Sequence, residues 1–187
     1  MQPHGRVSDE EYLGRERVAV ERSELIHGQV VAMAGASPRH NAIVRNALFS
    51  LTGRLRGQPC QPFPSDLRIH VPATGLYTYA DVSVICGPVE RHTKDSATIL
   101  NPRVLVEVLS AGTEAYDRGA KFAHYRSIPS LQTYVLVEPS EPRVEVFERS
   151  GRKWELDELL GLETLVTLKA IDVSFPVAEL YVDLPED

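Results

Sequence analysis

Cysteine is scarce: Cys60 and Cys86 are the only two in 187 residues. They form no CxxC pair and no His–Cys cluster at zinc spacing, so a structural zinc site is excluded and a disulfide-free protein is expected. No apolar stretch approaches the roughly 20 residues needed to span a bilayer. The N-terminal Met1-Gln2-Pro3-His4-Gly5-Arg6 lacks the apolar core of a signal peptide, and a cytoplasmic location is the expectation. Aromatic residues make up only 7% of the chain, which leaves little material for stacking sugars and argues against a glycosidase. GxGxxG, P-loop and GxSxG patterns are all missing, so neither dinucleotide binding, P-loop chemistry nor an esterase-type serine is supported.

What is present describes an ordinary globular chain, long enough for about one domain with a substantial core. We read residues 1–187 as that domain, with residues 1–20 as an N-terminal helical extension. Hydrophobic residues account for 43% and charged residues for 25%. The formal net charge is -6, which argues mildly against tight nonspecific binding to nucleic acid. Its distribution is uneven. From Arg39 to Arg68 the chain carries Arg39, Arg45, Arg54, Arg56 and Arg68 against the single acid Asp66. Acids gather instead in Asp9-Glu10-Glu11, from Glu155 to Glu163, and at Glu186-Asp187. The basic segment suits a phosphate-bearing substrate, and a solvated helix face explains it equally well.

Local patterns place the elements. Ser8-Asp9-Glu10-Glu11 is a capping box that opens a short helix. Glu24-Leu25-Ile26 and Val30-Val31-Ala32-Met33 read as a hairpin joined through His27-Gly28-Gln29. Ser37-Pro38 supplies an N-cap with proline at the first helical position. Val44, Ala47, Leu48, Leu51 and Leu55 then follow at helical spacing until Gly57. Leu67–Val71 and Asp81–Cys86 alternate as strands, whereas Gly87 to Asn101 is polar and reads as a loop. A helix is expected from about Glu114 to Ser127, stopped by Ile128-Pro129. Gln132–Glu138 and Arg143–Phe147 form a second hairpin, which Trp154 is expected to pack. Lys153–Leu156 and Thr164–Leu168 are further strands, and Pro176–Tyr181 closes the chain with a helical turn. The fold class is α/β or α+β: a central mixed β-sheet flanked by two main helices.

One residue breaks the hydrophobic logic. Glu107 lies inside Val104-Leu105-Val106-Glu107-Val108-Leu109, a run that reads as a strand buried on both faces. A lone carboxylate there must be paired, hydrogen-bonded or bound to a metal. An edge strand with Glu107 in solvent, or a structural ion pair with arginine, are the plain alternatives. Asp81 opens the preceding strand, and the segment between allows the two strands to be neighbours. Two carboxylates on adjacent strands suit one hard divalent cation, since Mg²⁺ takes oxygen ligands and keeps several waters. Lys121, on the helix after Glu107, adds an ammonium suited to polarising a metal-bound water, and so assisting its attack, or to stabilising charge developing on a phosphate. Taken alone, Lys121 also reads as an ordinary surface pair with Asp117 at i,i+4.

The order of these residues resembles the PD-(D/E)XK nuclease superfamily, and within it the Uma-type putative restriction endonucleases. Matching stretches are Glu24–Val31, Ser37-Pro38-Arg39-His40-Asn41, Ser65-Asp66-Leu67-Arg68, Tyr79–Val84, Val106–Ser110, Asp117–Tyr125 and Gln132–Val137. The resemblance implies a restriction-endonuclease-like fold and Mg²⁺- or Mn²⁺-dependent hydrolysis of phosphodiester bonds in DNA. It implies that Asp81 and Glu107 hold the metal, with the Val108 carbonyl as a further ligand, and that Lys121 is the catalytic lysine. Two positions depart from the superfamily pattern. Ala80 stands where a proline usually precedes the aspartate, and Leu109 stands where the motif lysine is expected, with Lys121 matching a lysine moved to the following helix.

Accessory candidates each carry a plain reading beside the functional one. Glu24 is a further metal or water ligand, or an exposed strand acid. His40, near a helix N-terminus, contacts phosphate, or is a surface histidine. Asp66 is weighed in the same way. Tyr125, one turn beyond Lys121, orients it or simply packs. Arg39 and Arg45 are the candidate DNA contacts. A homodimer suits the cutting of two strands. The competing class is a nuclease-fold binding module, for nucleic acid or protein, with a vestigial metal site.

Overall fold

Two serine caps set the first two helices. The computed structural model describes residues 6–33 and 35–186, so the reading of Met1–Gly5 and of Asp187 lies outside the described residues. The Ser8 hydroxyl accepts from the Glu11 amide (3.3 Å) and starts α1, Asp9–Glu16. The Ser37 hydroxyl accepts from the His40 amide (3.1 Å) and starts α2, Pro38–Leu55. Capping satisfies amides that a helix start otherwise leaves open. Between these helices, β1 (Ser23–Ile26) and β2 (Gln29–Ala32) form the expected hairpin. Its two-residue turn holds His27 and Gly28 at φ of 51° and 81°, the positive values that such a turn requires.

The remaining strands are β3 (Cys60–Pro64), β4 (Arg68–Val71), β5 (Leu76–Tyr79), β6 (Val82–Cys86), β7 (Arg91–His92), β8 (Asp95–Ile99) and β9 (Val104–Val108). They continue with β10 (Thr133–Glu138), β11 (Arg143–Ser150), β12 (Lys153–Leu160), β13 (Leu165–Leu168) and β14 (Val173–Pro176). A short 3₁₀ turn, Val177–Tyr181, follows as expected. Where one central sheet is expected, the strands form two mixed six-stranded sheets, ordered β2-β1-β5-β4-β8-β7 and β12-β11-β10-β9-β6-β3, with β13 and β14 as a separate pair. Strand β9 lies inside the second sheet, parallel to β10 and antiparallel to β6. Pro62 and Pro64, which lack amide hydrogens, lie in β3 at the sheet's edge, where no ladder bond is lost.

The second sheet divides the core. Val104, Val106 and Val108 of β9 pack with Ile43, Ala47 and Leu51 of α2. Leu105 and Leu109 point the other way, toward Ile69 and Leu76 of the first sheet and toward Phe122 and Tyr125. By strand alternation Glu107 shares the face of Leu105 and Leu109. The helix on that side, α3, runs through an α-helical segment (Glu114–Tyr116), a π-helical turn (Asp117–Lys121) and a second α-helical segment (Phe122–Tyr125). Trp154 packs edge-on against Phe122 (5.3 Å between ring centroids) and under Arg149, within the late hairpin as expected.

Two expectations fail. Residues Gly87 to Asn101 are not simply a loop, because they carry β7 and β8, the latter parallel to β4. The hydropathy pattern hides β8 because its buried Asp95 is satisfied by Arg68 (2.8 Å) and Thr98 rather than by an apolar neighbour. The chain is also not disulfide-free. Strand pairing sets Cys60 directly opposite Cys86, and the two sulfurs are bonded. A separation of 26 residues carries no hint of that register. No described helix is long and apolar enough to cross a membrane.

Candidate active site

Strands β6 and β9 bring the two key carboxylates together. Their ladder pairs Val82 with Val106, and one step further along the same register Asp81 faces Glu107. The Asp81 carboxylate accepts from the Val108 amide through Oδ2 (2.7 Å). The same oxygen lies 3.3 Å from His40 Nε2, which is also 3.0 Å from the Val108 carbonyl. The α2 N-terminus therefore delivers His40 to the end of the sheet. Burial opposes protonation of His40, but the Asp81 carboxylate and the Val108 carbonyl outweigh it and raise the ring's pKa.

Glu107 is buried, as the apolar run around it requires. Its Oε1 accepts from the Tyr125 hydroxyl (2.9 Å) and lies 2.8 Å from Lys121 Nζ. Burial pushes its pKa up to about 8; Lys121 pulls it down, while Asp81 and Asp117 push it further up. Lys121 is equally buried. Beyond Glu107 its ammonium meets the Tyr79 carbonyl (3.2 Å), Asp117 Oδ1 (3.4 Å) and Glu24 Oε1 (3.7 Å). Burial works against the charged form, but Glu107, Asp117 and Glu24 together raise the pKa well above that of a free lysine. Lys121 is thus an ammonium donor and not a neutral base. Glu24, buried at the start of β1, also accepts from the Thr78 hydroxyl.

The structure thus gathers Asp81, Glu107, Val108, Lys121, Glu24, His40 and Tyr125. It places the Tyr125 hydroxyl on Glu107 and the Tyr125 ring 5.9 Å from the Lys121 ammonium. Asp66 lies outside the cluster, its exposed carboxylate paired with Arg22. Arg45 is exposed and donates to the neighbouring Asn46 side chain (3.1 and 3.0 Å). Arg39 donates to the main-chain carbonyls of Pro139 (2.7 Å) and Pro185 (3.3 Å). Asp117 joins the cluster without having been singled out as a site residue. Its i,i+4 spacing to Lys121 is that of a surface pair, and only packing shows that both are buried.

The donor set favours a hard cation. Four carboxylates, those of Glu24, Asp81, Glu107 and Asp117, converge around Lys121 and His40, leaving an excess of negative charge. Glu107 resists ionisation because burial disfavours its charged form. Among the described residues no three His, Cys, Asp or Glu side chains are placed to enclose a metal. Two carboxylates and a main-chain carbonyl completed by waters suit Mg²⁺ or Mn²⁺ better than a closed zinc cage.

Fold and acidic cluster define a nuclease-like α+β protein. Residues 9–178 match the model of the Uma2 family, described as "Putative restriction endonuclease", and the chain belongs to that family. It is 37% identical over 180 residues to a Synechocystis sp. (strain ATCC 27184 / PCC 6803 / Kazusa) protein named slr1290, covering 96% of this chain and 93% of that one. It is also 37% identical over 152 residues to sll1609 of the same organism, covering 81% and 86%. Both relatives are named as uncharacterized. A crystal structure from Anabaena variabilis ATCC 29413, described as a putative nuclease belonging to DUF820, shares the fold, with TM-score 0.75. It is 18% identical and covers 92% of this chain and 96% of its own.

Proposed function

We propose that the protein is a divalent-metal-dependent endonuclease acting on DNA. The observation that carries this reading is the buried Glu107–Lys121 contact (2.8 Å) beside Asp81 at the end of a sheet. Asp81, Glu107 and the Val108 carbonyl would hold Mg²⁺ or Mn²⁺. When bound, such an ion supplies Lewis-acid neutralisation of the phosphate and a more acidic water. The protein's own groups do the rest. Lys121, held charged, would stabilise the negative charge that builds on a phosphate oxygen. Tyr125 orients the Glu107 carboxyl group, and the Val108 amide orients Asp81. His40, in the first turn of α2, would steady Asp81 and the Val108 carbonyl through Nε2.

One observation favours the second reading, a binding module without catalysis. The His40 ring lies against Asp81 Oδ2 and the Val108 carbonyl, two of the three proposed donor groups. Incubation of the purified protein with plasmid, linear and single-stranded DNA across Mg²⁺ and Mn²⁺ concentrations separates the two. The nuclease reading expects nicking or cutting that chelator abolishes and that Asp81→Asn removes. Absence of cleavage together with absence of calorimetric metal binding would favour the binding module instead.

A further inference from the structure

Helix α3 departs from α-helical geometry in the turn Asp117–Lys121. A π turn inserts one residue into a helix, and such turns are found at functional sites. Here one charged residue opens the turn and the other closes it. Both are buried, Asp117 at 3% and Lys121 at 5% exposure. The Tyr134 hydroxyl on β10 donates to the Asp117 main-chain carbonyl (3.1 Å) and fastens the turn to the second sheet. A surface i,i+4 pair needs none of this.

An ammonium has three N–H donors. In Lys121 they face Glu107 (2.8 Å), the Tyr79 carbonyl (3.2 Å) and Asp117 (3.4 Å). Glu107 has two claims on it, as a proposed metal ligand and as the partner of Lys121. Asp117 has one. It reaches the lysine from within the lysine's own helix turn, whatever Glu107 is doing. We infer that Asp117 is a positioning residue: it holds the Lys121 ammonium toward the reacting phosphate, through a π turn that keeps both side chains facing inward. The inference rests on the nuclease reading of the same site.

The test is a double-mutant cycle. Asp117→Asn keeps the shape of the side chain and removes its charge. Its kcat for Mn²⁺-dependent cleavage should fall by about 10- to 100-fold, the size of effect that misplacing a reacting group produces. KM and the calorimetric Mn²⁺ affinity should stay within about twofold, because Asp117 acts through neither the substrate nor the metal. Asp117→Glu, which keeps the charge, should restore part of kcat. In a Lys121→Ala background Asp117→Asn should cost nothing further, since its only route to the reaction is gone. An additive loss in that background, or a loss residing in KM or metal affinity, would overturn the inference.

A second readout does not depend on cleavage. In reductive methylation followed by mass spectrometry, wild-type Lys121 should resist modification while exposed Lys94 and Lys153 react. Asp117→Asn should expose Lys121 at least tenfold in methylation rate. Unchanged protection in a folded variant, checked by thermal melting, would refute the positioning role. If the wild type cuts no nucleic acid, the nuclease reading fails on its own, and methylation still judges Asp117.

Discussion

Replacing Glu107 by glutamine should stabilise the metal-free protein, an unusual sign for a buried polar substitution. The magnitude follows from the pKa of about 8 in the fold against an ordinary value of 4.5. Because the folded state binds the proton more tightly, stability falls as pH rises from the unfolded pKa toward the folded one and levels off above it. At pH 7 the unfolded chain gains from ionising Glu107 across about 2.5 pH units, which the fold forgoes; at about 1.36 kcal/mol per unit this is on the order of 3 kcal/mol. The amide introduced by Glu107→Gln mimics the protonated carboxyl and removes that penalty, while Asp117 and Glu24 still face Lys121. For a chain of this size the gain corresponds to roughly 6–12 °C in Tm. Thermal melts in chelator from pH 5 to 9 should show wild type losing stability with pH and Glu107→Gln staying flat, the two converging near pH 5. In Mn²⁺ the order should reverse, because wild type gains RT ln(1 + [L]/Kd) and the variant does not. A structural ion pair with Lys121 predicts the opposite sign, a loss of about 3–5 kcal/mol on deleting one buried partner. A large loss in chelator with the Mn²⁺ shift intact would make Glu107 scaffolding and remove the basis for the metal reading.

Lys121→Ala should lower the cleavage rate by about 10²–10³-fold at saturating Mn²⁺, comparable to removing one donor to a developing charge, while Mn²⁺ affinity by calorimetry holds. An unchanged rate would refute its role. Cys60→Ser should lower stability by about 3.5 kcal/mol, the loop-closure value for a bridge spanning about 26 residues. Thiol titration of the unfolded, non-reduced protein should find no free thiol, and two reactive thiols would contradict the bridge. Asp95→Ala should cost about 3–5 kcal/mol in chemical denaturation, because it leaves the Arg68 guanidinium buried without its carboxylate. A change under about 1 kcal/mol, the scale of a single hydrogen bond, would show that the hydroxyls of Tyr79 (2.8 Å from Arg68 Nε) and Thr98 (3.2 Å from Nη1) suffice for the guanidinium without Asp95.

What the sequence settled by itself is whatever depends on neighbours within a few residues. Ser8 and Ser37 as caps, Pro38 as a first helical residue and His27-Gly28 as a turn are local choices, made by backbone sterics and amide satisfaction. Glu107 announced itself because a carboxylate in a six-residue apolar run conflicts with the solvation cost of burial. The ordered series of short motifs carried the family, since each residue could be matched without knowing where it lies in space. Tertiary structure decided everything that depends on which distant groups meet. Asp95 makes a buried strand residue only because Arg68, from another strand, pairs with it. Cys60 and Cys86 are bonded because β3 and β6 share one register, and Asp66 leaves the site because Arg22 holds it at the surface. Asp117 and Lys121 have the spacing of a solvated pair on any exposed helix. The fold buries that pair against Glu107, where low polarisability and the scarcity of water make charges interact strongly, and no count of intervening residues encodes that.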